Sequence, residues 1–60
     1  MNFIIQTDDN TYFGGWDPIT GHLRFTRNKS FAYRMRGTMA EQTLGKCLGD
    51  YPGARILNIR

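Results

Sequence analysis

An α+β fold, with one helix packed on one face of a small antiparallel sheet, is predicted by three features of this 60-residue chain. Short stretches rich in β-branched and aromatic residues alternate with turn residues, which is typical of strands. One later segment carries a helix start signal and an apolar stripe at helical spacing. A chain this short has room for a single domain, spanning residues 1–60. We therefore expect the element order β-β-β-α-β.

The first two strands are predicted to form an N-terminal hairpin. Residues 2–7 and 11–16 are β-branched and aromatic, and Asp8-Asp9-Asn10 between them is a turn cluster. Gly14 and Gly15 interrupt the second arm, which indicates a β-bulge or a close backbone approach, because glycine otherwise weakens a strand interior. Packing beneath an aromatic neighbour is the favoured interpretation, and a ligand contact is the alternative.

The middle of the chain is predicted to hold a third, short strand. Residues 17–21 contain Pro18 and Gly21 and end the hairpin. Residues 22–26 then place Leu23 and Phe25 on one face. Residues 27–30 are expected to form a turn or one helical turn, and residues 33–36 alternate again.

The helix has the strongest local signal. Thr38 and Glu41 have the spacing of a capping box, in which each side chain accepts a hydrogen bond from the other residue's backbone N–H. The helix should therefore start at Met39 and stop at Leu48 or Gly49. Gly45 in its middle predicts tight packing against the sheet. Residues 54–59 close the chain as a strand. The expected core comprises Phe3, Ile5, Phe13, Phe25, Met35, Leu44, Leu48, Leu57 and Ile59.

Positive charge is concentrated in the middle of the chain. Residues 1–20 contain three aspartates and no lysine or arginine, whereas residues 24–36 contain five cations and no acid. Alternation with apolar residues predicts that the strand cations project from the face opposite the core. Such a strip steers an anionic partner, although a solvated face that keeps the protein soluble is the alternative. The candidate partner-binding residues are Arg24, Arg27, Lys29, Arg34 and Arg36, with Tyr33 and Trp16 as anchors.

Trp16 and the loop after it carry further alternatives. Tryptophan at a strand end most often fills the core, so an exposed anchor is the less favoured interpretation of Trp16. The loop that follows is longer than a strand connection needs, so a binding role for residues 18–21 stays open.

Catalysis, metal binding and cofactors are not expected. Cys47 lies on the predicted apolar stripe, where a core thiol is favoured over a nucleophile, and His22 is predicted to be a solvated loop histidine. One cysteine and one histidine provide neither a disulfide nor a structural zinc site. Gly45-Lys46 lacks the rest of a phosphate-binding loop. We expect a non-enzymatic, cytoplasmic protein without a membrane partner, because no signal peptide or membrane span is evident.

A resemblance follows from the pattern as a whole. It is carried by Phe3-Ile4-Ile5-Gln6, Tyr12-Phe13-Gly14-Gly15-Trp16, Ala32-Tyr33-Arg34-Met35, the helix start Ala40-Glu41, and residues 51–59. In these positions the chain resembles very small phage and prophage proteins of uncharacterised or accessory role. That group includes inhibitors of host defence such as anti-CRISPR proteins. The resemblance implies a single α+β domain and a non-enzymatic role, whereas Gln42, Thr43 and Lys46 argue against acidic nucleic-acid mimicry by the helix.

The leading functional hypothesis is a small binding protein that docks its arginine-rich face onto a host protein or ribonucleoprotein complex. It would inhibit a host nucleic-acid-targeting complex, of the anti-CRISPR or anti-restriction type, by occupying a surface. The alternative is a direct nucleic-acid-binding module whose cations contact phosphates. A homodimer would help so small a chain, which buries only about 60% of the surface it exposes when unfolded.

Overall fold

A four-stranded antiparallel sheet and one α-helix make up the fold, which confirms the predicted α+β class. The strands are β1 (Asn2–Gln6), β2 (Tyr12–Trp16), β3 (Leu23–Thr26) and β4 (Arg55–Ile59), and they lie in the order β3-β2-β1-β4. The helix α1 (Gly37–Cys47) follows a single 3₁₀ turn (Lys29–Phe31). The computed structural model describes residues 2–7 and 10–59, so Asp8 and Asp9 of the predicted turn lie outside the described residues.

The segment 33–35 fills a gap between β1 and β2. In the described part of the hairpin, strand pairing is confined to Gln6 opposite Tyr12. Further along, Phe3 and Met35 exchange two backbone hydrogen bonds of 2.8 Å, and the Tyr33 N–H donates to the Phe13 carbonyl at 2.8 Å. The alternating pattern of residues 33–36 therefore marks an isolated bridge to β1 and not a separate strand.

The bulge predicted at the two glycines is present. The register between β2 and β3 shifts between Phe13 and Gly15, and Gly15 has a φ of 103°. A Cβ built on Gly15 would lie 3.4 Å from Cδ1 of Tyr33. The favoured interpretation, packing beneath an aromatic side chain, is confirmed.

Helix α1 starts two residues earlier than predicted. Its N-cap is Arg36, whose backbone is extended and whose side chain makes no capping bond, and the Ala40 N–H donates to the Arg36 carbonyl at 2.9 Å. Thr38 consequently lies inside the first turn, so the capping box with Glu41 does not form. The bridge between Met35 and Phe3 fixes the backbone just before the helix, and this overrides the local signal.

The inner face of α1 also differs from the prediction at Gly45. The buried helix residues are Ala40, Thr43 and Cys47, which confirms Cys47 as a core thiol. Gly45 is exposed, and a Cβ added there would meet nothing within 4 Å. Gly45 therefore does not serve close packing, and Leu48, predicted for the core, is 40% exposed just past the helix end.

Strand β4 presents the opposite alternation from the one predicted. Ile56 pairs with Ile5 and packs against the core, whereas Leu57 pairs with Ile4 on the face away from α1. Ile59 lies on that same face, two residues further along. Leu57 and Ile59 are thus wrongly assigned to the helix side, because β4 has apolar residues on both faces and its alternation does not determine the register.

The face of the sheet opposite α1 is covered in part by the connection from β3 to α1. Ile4 on this face is only 1% exposed. Lys29 and Ser30 of the 3₁₀ turn, with Arg34 after it, line a groove together with Ile4 and Ile59. The connection brings two of its cations, Lys29 and Arg34, over an apolar part of the sheet.

Candidate functional site

Four cations project from the side of the sheet that does not carry α1, and we call this surface the basic face. Arg24 alternates with the core residues Leu23 and Phe25, so its side chain leaves the opposite side of β3. The same alternation places Arg34 between Tyr33 and Met35. The face comprises Arg24, Lys29, Arg34 and Arg55.

Arg55 is the member of the basic face that the sequence analysis missed. It pairs with Gln6, which shares its face with Ile4, and its Nη2 donates to the Gln6 Oε1 at 3.1 Å. The sequence signal that could have found it is the alternation of β4 once Ile56 is assigned to the core. Its position depends on the strand register, which residues outside the basic segment determine.

A groove on the basic face has two cations beside an apolar floor, and we call it the basic groove. Its volume is about 380 Å³, and it is lined by Ile4, Lys29, Ser30, Arg34 and Ile59. Lys29 and Arg34 are exposed, Ile59 is half-buried, and Ile4 is almost fully covered. The groove can therefore receive an anionic group next to an aliphatic one.

The wall of the basic groove is held in place by hydrogen bonds within the 3₁₀ turn. The Asn28 Oδ1 accepts from the Ser30 backbone N–H at 3.0 Å and from the Ser30 hydroxyl at 2.7 Å. The Ala32 N–H donates to the Lys29 carbonyl at 3.1 Å. These bonds fix the backbone that carries Lys29, which lines the basic groove together with Arg34. Phe31, which the sequence analysis did not single out, is 70% exposed on the same turn.

The two predicted aromatic anchors lie away from the basic groove. Trp16 and Tyr33 contact each other with ring centroids 5.3 Å apart, and both pack edge-on against Phe13, at 4.9 and 5.9 Å. Phe13 is a fully buried core residue, so this cluster belongs to the helix side of the sheet. The structure therefore separates Trp16 and Tyr33 from the cations of the basic face.

The other two predicted cations are exposed outside the basic groove. Arg27 follows β3, and Arg36 is the N-cap of α1. The sequence places all five cations within thirteen residues, but the fold brings two of them, Lys29 and Arg34, to the groove.

The loop between β2 and β3 is ordered by Asp17 and presents an apolar tip. The Asp17 carboxylate accepts backbone N–H bonds from Ile19 at 2.8 Å and Thr20 at 3.1 Å, and the Gly21 N–H donates to the Asp17 carbonyl. The N–H groups of Thr20 and Ile19, together with the nearby Arg24 charge, lower the pKa of the Asp17 carboxyl. Ile19 at the tip is 93% exposed. Arg24, a member of the basic face, therefore has the Asp17 carboxylate of its own chain nearby.

A second hollow lies between the end of α1 and the β2–β3 hairpin. Its volume is about 450 Å³, and it is lined by Trp16, Gly21, His22, Leu23, Phe25, Lys46 and Asp50. Cys47 close by is fully buried, and burial together with the negative charge of Asp50 raises the pKa of its thiol. The thiol form is favoured there, which is the opposite of what a nucleophilic cysteine requires.

Comparisons with known proteins add no family. The helices of the described residues include none that is both long and apolar enough to cross a membrane. Within residues 2–7 and 10–59, no three histidine, cysteine or acidic side chains are grouped as metal ligands would be. No protein-family model, no curated protein and no solved structure matches the chain.

Proposed function

We propose that the protein is a non-enzymatic binding protein that docks its basic groove onto an anionic protein surface. In this role it inhibits a host complex that targets nucleic acid, and it acts in the cytoplasm of that host. The observation that carries the proposal is the placement of Lys29 and Arg34 beside Ile59 in one groove. The resemblance to small phage proteins supplies the choice of target.

The chemistry of the basic groove supports a carboxylate-bearing partner. The guanidinium of Arg34 is planar and suits bidentate contact with a carboxylate or phosphate, and Lys29 adds a mobile point charge. The apolar floor suits an aliphatic side chain next to that anion. A protein segment that carries an acidic residue beside an aliphatic one satisfies both halves of the groove, whereas a phosphate backbone satisfies only the charged half.

The size of the chain supports action by occupying a surface. The basic groove lies on one face of a small domain, and when that face is docked the bound domain blocks whatever else would use the partner's surface. Basic charge also speeds encounter with acidic protein surfaces. Inhibition by steric occlusion follows without any catalytic group.

The test is a charge reversal in bacteria that carry a defined CRISPR or restriction system. Expression of the protein should raise the plating efficiency of a targeted phage. Arg34→Glu should lower that gain by at least about tenfold, because reversing one charge contact weakens the binding free energy by more than about 1.4 kcal/mol. Lys46→Glu is the matched control: it makes the same charge change on the exposed side of α1 and should retain the gain. Equal losses in both variants, or no gain with any system tested, would overturn the proposal.

A direct nucleic-acid-binding module is the second candidate, and the exposure of Phe31 favours it. An aromatic ring that is 70% exposed, on the same 3₁₀ turn as Lys29, offers a surface on which a base can stack. Fluorescence anisotropy with random oligonucleotides separates the two functions. Affinity that falls steeply with salt, and that Phe31→Ala weakens further, would favour phosphate and base contacts.

A further inference from the structure

Strand β4 is an edge strand with little of the usual protection against pairing. It pairs with β1 through five consecutive residues, from Asn2 opposite Ile59 to Gln6 opposite Arg55, without a bulge. Its sequence, Arg-Ile-Leu-Asn-Ile, contains no proline, glycine or lysine, and its one charged residue, Arg55, stands at the start of the strand. Natural edge strands are normally blunted by such residues, by bulges or by a covering segment. In the described part of the chain no strand lies beyond β4.

The backbone groups at the open edge follow from the hydrogen bonds of β1. Phe3 uses both its N–H and its carbonyl on Met35, so these groups point away from β4. In an antiparallel pair the bonding positions alternate, so Ile4 bonds Leu57 across β1 and β4. The N–H and carbonyl groups of Ile56 and Asn58 therefore point to the open edge.

We infer that this edge pairs with β4 of a second copy of the chain, antiparallel and with Leu57 opposite its own equivalent. In that register Ile56 of each copy lies opposite Asn58 of the other, and each of these two pairs exchanges two backbone hydrogen bonds. The open positions are spaced symmetrically about Leu57, so one two-fold axis satisfies all four bonds. A closed dimer results, because both copies use the same surface.

The side chains of β4 suit a second copy. The two Leu57 side chains would face one another in a non-hydrogen-bonded pair, where Cα atoms are about 4.5 Å apart. Arg55 of each copy would lie opposite Ile59 of the other, so the arginines are not paired, and the Arg55 Nη2 already donates to Gln6. Leu57 and Ile59 are both half-buried in one chain, and pairing would bury more of their solvent-accessible surface.

The pairing would form a continuous eight-stranded sheet with two different sides. Residues opposite one another in an antiparallel pair share a face, so both α1 helices lie on one side and both basic faces on the other. A partner with two anionic sites would then bind by avidity. The dimer itself does not depend on the proposed function.

Sedimentation of a proline variant tests the inference. Asn58→Pro removes a donor that points to the open edge and leaves the bonds between β1 and β4 intact, a position where sheets tolerate proline. Wild type and Asn58→Ala should sediment at twice the 6.9 kDa chain mass at micromolar to millimolar concentrations, and Asn58→Pro at the chain mass with an unchanged circular dichroism spectrum. A monomeric wild type, or a dimeric Asn58→Pro, would overturn it.

Hydrogen exchange gives a second measurement that needs no variant. The amides of Ile56 and Asn58 should be protected in the wild type, and the protection should fall on dilution. An isotope-filtered NMR experiment on mixed labelled and unlabelled chains should detect contact between the two Leu57 α-protons. Rapid exchange of both amides at every concentration would contradict the pairing, even if the Asn58→Pro protein failed to fold.

Discussion

Gly15 has a backbone conformation that favours glycine, and it also packs against an aromatic ring. Its φ of 103° lies where side chains are strained, and a Cβ there would lie against the Tyr33 ring, 3.4 Å from Cδ1. We expect Gly15→Ala to lower the free energy of unfolding by about 1–3 kcal/mol. Urea denaturation followed by tryptophan fluorescence measures this, because Trp16 contacts the same tyrosine ring.

Gly14→Ala is the matched control, one residue away. A Cβ on Gly14 would lie 3.6 Å from the Arg24 carbonyl oxygen and from a methyl of Thr26, which are ordinary contacts. Its cost should be well below that of Gly15→Ala. Equal costs at the two positions would mean that neither the positive φ of Gly15 nor its contact with Tyr33 penalises a side chain there.

Helix α1 carries an exposed glycine that its packing does not require. Gly45→Ala should raise the free energy of unfolding by about 1 kcal/mol, because alanine is the better helix former and its methyl group meets nothing within 4 Å. Thermal melts of the two proteins measure the gain. Gly37→Ala is the comparison: Gly37 is the first helical residue, and its Cβ would meet the Phe3 ring at 3.5 Å, so a smaller gain is expected. A lower melting temperature for Gly45→Ala would contradict this view of the outer helix face.

The strands and the helix were predictable because their signals are local. β-Branched and aromatic residues located β1 and β2, alternating apolar residues located β3, and the glycine pair located the bulge. The failures arose from contacts between distant residues. The bridge between Met35 and Phe3 displaces the helix start, and pairing with Ile5 decides which side of β4 faces the core.

The candidate site was predictable in composition and only partly in geometry. The sequence shows the run of cations, and alternation places Arg24 and Arg34 opposite the core. It does not show where the 3₁₀ turn crosses the sheet, which is what brings Lys29 beside Arg34. It also does not separate Trp16 from the cations, since that depends on how the aromatic cluster packs around Phe13.

Both faces of the sheet contribute to stability, although only one carries a helix. Ile5 on the helix side is fully buried, and Ile4 on the other side is 1% exposed beneath the connection that holds the basic groove. Truncation of a buried isoleucine to alanine costs about 2–5 kcal/mol. A domain of this length has a total stability of about 3–9 kcal/mol, so either loss is a large part of it.

We therefore expect Ile4→Ala to destabilise the protein as much as Ile5→Ala, measured by urea unfolding of both variants. Ile19→Ala, at a loop tip that is 93% exposed, is the control and should leave the free energy of unfolding unchanged. The physical reason is that the connection from β3 to α1 excludes water from Ile4 as α1 does from Ile5. A cost for Ile4→Ala below about 1 kcal/mol, outside the range for a buried isoleucine, would mean that the connection covers the sheet only loosely. The basic groove would then lack a fixed wall, since Lys29 and Ser30 are held over Ile4 by that same connection.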